Sequence, residues 1–134
     1  DVSRWEMMRL PFGDPYRCVC IHSLTSALPS SRWRVYDANW KLVNDIVLPD
    51  FSAENFFVPA DDVRSEQLEK LKELSAYSHY TLSWEDEREG SAPVLKVALS
   101  FPSLGKDLDD VAGKCLHPLY YKWNGSAFEK SHAE

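Results

Sequence analysis

The fold turns on the stretch YRCVCIHSL, residues 16–24, in which Cys18, Cys20 and His22 alternate with Val19 and Ile21. Strand side chains repeat every two residues, so a β-strand here puts both cysteines and the histidine on one face. Tyr16 and Leu24 share that face, an apolar set with His22 as its polar exception. Cys115 and His117, in KCLHP at 114–118, repeat the same spacing. Two such strands side by side would bring five potential metal ligands together, or line a core with small sulfurs.

On either side of this run the alternation continues. RWEMMRL (4–10) reads as a strand closed by the turn cluster PFGDP (11–15), and TSALPSS (25–31) reads as a loop. RWRVYD (32–37) puts Trp33 and Val35 on one face, and WKLVNDIVL (40–48) follows as a strand ended by Pro49. Between residues 49 and 62 breakers are too frequent for regular structure, though Phe56, Phe57 and Val58 are expected to be buried. The period then changes. Leu68, Leu71 and Leu74 recur every three residues among strong helix formers, predicting a main helix over about 63–75 with Asp62 as N-cap.

Alternation returns in HYTLSWEDE (79–87), with Tyr80, Leu82 and Trp84 in phase, and a hairpin tip at EREGS (87–91) leads into VLKVALSF (94–101). A second short helix is predicted at about 107–113, stopping at Gly113. PLYYKWNGSAFEK (118–130) closes as a hairpin around Asn124-Gly125. The sum is an α+β fold: a mostly antiparallel sheet with two helices packed on it. Residues 1–134 read as a single domain, with a weak repeat of two meander halves at 1–48 and 79–131 whose strands open on Trp5-Glu6 and Trp84-Glu85.

Length and charge exclude several classes. A chain of 134 residues can bury a core without staples, and 44% hydrophobic composition supports a globular domain. Net charge is −6, with no basic cluster longer than RWR at 32–34, which argues against nucleic acid and anionic membranes. No apolar run approaches the roughly 20 residues of a membrane span. The start at Asp1 is expected to reflect a removed signal peptide or a trimmed N-terminus.

The path from WEMMRLP through RVYDANW (34–40), the Phe56-Phe57 pair and YYKWNGSAF (120–128) resembles a family of uncharacterised exported proteins of gut Bacteroidales, known as a domain of unknown function. That resemblance implies export to the periplasm or cell surface and an α+β fold, and it carries no reaction. Members of such families usually have an N-terminal helical segment before this region, so a trimmed chain or a shortened member is expected.

For the cysteines, core packing is the reading, since free Cys behaves as a small buried hydrophobe. A disulfide from Cys115 to Cys18 or Cys20 ranks next. A zinc site on Cys18, Cys20, His22, Cys115 and His117 ranks last, because strand positions two apart lie about 6.5 Å apart and project in parallel. The same parallel directions disfavour a Cys18–Cys20 bridge. A cysteine nucleophile served by His22 or His117 has no support beyond adjacency. EDERE (85–89) reads as a solvated turn, DLDD (107–110) as helix N-terminal charge and NGS (124–126) as turn chemistry. No phosphate loop or serine elbow occurs, and no cofactor is implied.

Five Trp and six Tyr remain, more than a small core needs. Exposed aromatic side chains on a sheet recognise proteins or sugars, and Trp40, Tyr120 and Trp123 are the candidates. The expected function is a non-enzymatic exported module that binds or inhibits a protein partner, or binds a cell-surface glycan, through a sheet face or hairpin loops. The rival is a small metal-binding protein or enzyme using the Cys/His strand positions.

Overall fold

A computed structural model of the chain describes residues 2–10, 17–25, 28–49, 51–85 and 92–131. Among these residues, eight strands form two four-stranded antiparallel sheets, each in sequential order. The first holds β1 (Val2–Leu10), β2 (Arg17–Thr25), β3 (Ser30–Tyr36) and β4 (Leu42–Val43); the second holds β5 (His79–Trp84), β6 (Val94–Ser100), β7 (Leu119–Trp123) and β8 (Phe128–Ser131). Helix α1 (Ser65–Glu73) precedes β5, and α2 (Lys106–Cys115) connects β6 to β7. The chain is α+β, as its alternation predicts. The turns expected at 11–15 and 87–91, Tyr16, and residues 86–89 of the acidic run lie outside the described residues.

One apolar core joins the two sheets. Val19, Ile21 and Val35 from the first meet Leu82, Leu95, Val97, Tyr121 and Trp123 from the second, with Phe56 completely enclosed beside them. Trp33 reaches Phe128 edge-on, with ring centroids 5.7 Å apart. The phases expected for Trp33 and Val35, for Tyr80, Leu82 and Trp84, and for Leu95, Val97 and Leu99 are those observed.

A second cluster belongs to the helices. Leu68 and Leu71 of α1 bury against Val111 and Cys115 of α2, and Phe57 and Phe101 touch both this cluster and the sheet core. The leucine stripe therefore packs first on α2, and Leu74 is only half-buried, in a 3₁₀ turn over Leu74–Tyr77. Helix α1 starts at Ser65, with Gln67 Oε1 accepting the Arg64 N–H at 3.1 Å. Asp62, expected as the cap, instead pairs with Lys114 Nζ and clips the two helices together. Helix α2 runs through Gly113 to Cys115, because Val111 and Cys115, four residues apart, share the face buried on α1.

Two other expectations change. Residues 40–48 give only the two-residue strand β4, while Ile46 and Leu48 pack on the core from irregular backbone. Val58 is exposed, yet its N–H reaches the Cys115 carbonyl at 2.8 Å and His117 N–H reaches the Phe56 carbonyl at 2.8 Å, seaming the linker to the end of α2. The hairpin expected around Asn124-Gly125 is present, joining β7 to β8 through a four-residue loop. Asn124 Oδ1 accepts the N–H groups of Ser126 and Ala127, both at 2.8 Å, and Gly125 takes φ 106°.

Candidate functional site

Register decides which side chains share a face. Directly opposite residues of an antiparallel pair project together. Arg9, Met7 and Trp5 of β1 lie opposite Cys18, Cys20 and His22 of β2, which in turn lie opposite Tyr36, Arg34 and Arg32 of β3. Leu42 of β4 continues the row from Tyr36. Val19, Ile21 and Val35 have the other parity and fill the core. The cysteine face of β2 is thus the outer face of the first sheet, which corrects the expectation that it lines the core.

This outer face is open. Trp5 is 56% exposed, Met7 58% and Leu42 65%. Trp40 is 63% exposed and lies beside Tyr36, with ring centroids 6.1 Å apart. The Trp5 indole lies flat on the His22 ring, with centroids 3.8 Å apart and planes 4° from parallel, and His22 Nε2 is buried with no hydrogen-bond partner among the described residues. Cys18 and Cys20 are buried at the centre of this face, flanked on both strands by longer side chains. Burial pushes both thiols above the ordinary value, and for Cys20 the neighbouring Cys18 adds to it while the Arg34 guanidinium works the other way.

Cations frame the apolar surface. Arg9, Arg32 and Arg34 are exposed, and among the described residues no Asp or Glu shares the face, since Glu6 has core parity. Beyond β4 a groove of about 620 Å³ runs past Arg34 and Leu42 between Trp33, Ile46, Val47 and Leu48. Arg17 holds one end of this region in place through Asp45, at 2.9 Å from Nε to Oδ2, which keeps the Asp45 carboxyl below its usual range.

The three aromatic candidates do not assemble. Trp40 stands at the end of the outer face, Tyr120 lies half-buried on the far side of the second sheet, and Trp123 is 3% exposed in the core. Trp123 is corrected because it pairs with Phe128 across the β7–β8 hairpin, with rings 5.1 Å apart, both facing inward. The Cys/His set is likewise divided. Cys18, Cys20 and His22 lie on the outer face, Cys115 sits between the helices and His117 is exposed beyond α2. All three cysteines are free, and no three His, Cys, Asp or Glu converge on a metal position among the described residues.

Sequence reading missed Trp5, Met7, Arg32, Arg34 and Leu42. The signal was present in RWRV, where charge alternates with Trp33 and Val35, so that once the apolar phase faces the core the arginines must face out.

No protein-family model and no curated protein matches the chain. Among solved structures it is similar to a domain of an uncharacterised protein from Porphyromonas gingivalis, at 23% identity and a TM-score of 0.75, covering 98% of this chain and 67% of that one. The likeness is one of fold. It brings no activity with it. No described helix is long and apolar enough to cross a membrane.

Proposed function

We propose that the chain is an exported, non-catalytic module that docks another protein on the outer face of its first sheet. The observation that carries this reading is the make-up of that face: Trp5, Met7, Arg9, Arg32, Arg34, Tyr36 and Trp40. Trp, Tyr, Met and Arg are the residue types enriched at protein interfaces, where Lys and Glu are depleted. Folding does not require large apolar groups in water, and a contiguous patch of them marks a contact surface. Aromatic rings held on strands lose little entropy on binding. Export, implied by the family resemblance, is part of the same proposal and is tested by immunoblotting cell fractions.

Docking is tested by placing a photo-crosslinking residue at Met7 and, separately, at Lys96 on the far face of the second sheet. A discrete adduct from position 7 and none from 96, with the purified adduct partner losing affinity for Trp5→Ala, supports the reading. Equal labelling from both positions overturns it.

A further inference from the structure

In a chain of net charge −6, Arg32 and Arg34 stand on this face, so everything else together carries −8. Arg32 and Arg34 stand two residues apart on one strand, about 6.6 Å by strand rise, which is also the spacing of alternate side chains in an extended peptide. Neither has an ion-pair partner among the described residues. Arg34 and Leu42 also line the apolar groove beside β4, so cationic and apolar contacts adjoin.

Resting on the docking reading above, we infer that the occupant of this face is an acidic protein segment that sets alternate carboxylates on Arg32 and Arg34 and apolar side chains into the groove beside Leu42. A guanidinium fork matches a carboxylate in two parallel hydrogen bonds, so two arginines in register select both charge and spacing. A second copy docked face to face does not fit, because among the described residues this face holds no Asp or Glu to offer Arg32 and Arg34. A polyanionic glycan or nucleic acid would satisfy the arginines and leave Met7, Leu42 and Val47 without apolar contact.

The test uses the full chain and three synthetic peptides sharing the same Leu and Tyr residues, with Glu, Lys or Gln at the alternate positions. Oligo-dT and heparin serve as polyanion controls. Amide shifts report where each probe binds, and tryptophan fluorescence reports affinity. The expected result is that the Glu peptide shifts β1–β3 resonances, weakens as salt rises, and loses about tenfold or more in affinity for the R32Q/R34Q double variant. Both positions are exposed, and an unchanged melting temperature certifies that variant; R32K/R34K should recover only part of the loss. If the Lys or Gln peptide binds the face as tightly, the acidic assignment is wrong and docking stands. If oligo-dT or heparin displaces the Glu peptide at lower concentration, the occupant is a polyanion and the inference falls. If no peptide shifts a resonance on this face, the docking reading falls with it.

Discussion

The carboxylate of Glu6 accepts the backbone N–H of Trp84, with Oε2 at 3.2 Å, across 78 positions of sequence. Two residues earlier on the same strand, the Leu82 N–H donates to Ser31 Oγ at 2.9 Å, and Ser31 is itself bonded to Ser23 at 2.7 Å. Strand β5 is the edge of its sheet, so the N–H groups turned away from β6 have no ladder partner. Side chains on the core face of the first sheet supply acceptors in place of a fifth strand. Glu6 also takes the Arg4 guanidinium, which keeps its charge compensated near the core.

Glu6→Gln retains an acceptor oxygen and should change stability little. Glu6→Leu leaves the Trp84 N–H unsatisfied and should cost about 1–3 kcal/mol in urea melts. Equal midpoints for the two variants would show that water satisfies this N–H.

Leu71 is completely enclosed between α1 and α2. Leu71→Ala should cost about 2–5 kcal/mol, because the helix pair cannot collapse onto the space left behind. An unchanged urea midpoint would mean that the helix pair adds nothing to global stability.

Cys18 and Cys20 should react slowly with a charged thiol reagent at neutral pH, because burial disfavours their thiolates. Met7 lies directly opposite Cys20. Met7→Ala should therefore accelerate labelling of Cys20, located by mass spectrometry, and leave Cys115 between the helices protected. Uniform acceleration of all three thiols would indicate loosening of the whole fold.

Trp40 adopts φ 61°, a left-handed conformation that disfavours a bulky side chain by about 1–2 kcal/mol. The turn is held by Asp37, whose Oδ1 accepts the N–H groups of Asn39 at 2.8 Å and Lys41 at 2.9 Å. Trp40→Gly should leave stability unchanged or raised while reducing partner affinity. A lower melting temperature would assign Trp40 a structural role through Tyr36 instead.

Asp62 lies below the ordinary carboxylate range, chiefly because it accepts a hydrogen bond from Lys114. A depressed folded-state pKa contributes stability above the unfolded value, near 4, that is lost as pH falls through the folded value. Asp62→Asn should thus be less stable than the parent at neutral pH, with the gap closing in acid below about pH 4. The pair is exposed, so the gap is small and shrinks with salt. A gap that persists in acid would show that the carboxylate charge is not its source.

Local periodicity was enough to find the strands, both helices and the α+β class, because side-chain spacing is a property of the backbone alone. It placed Trp33 and Val35 together, and Leu68 with Leu71, and the structure keeps both pairings. It could not choose which face of β2 sees the core. Cys18 and Cys20 are as apolar as that position needs, so only the arrival of the second sheet on Val19 and Ile21 turned them outward. The same choice put Trp5, Arg32 and Arg34 in water. Trp123 and Trp40 read alike as aromatic residues near turns, yet one faces Phe128 across a hairpin and the other stands on a left-handed turn beyond the sheet. Burial depends on what a second layer covers. That is settled by contacts between residues as distant as Glu6 and Trp84, and no spacing along the chain records them.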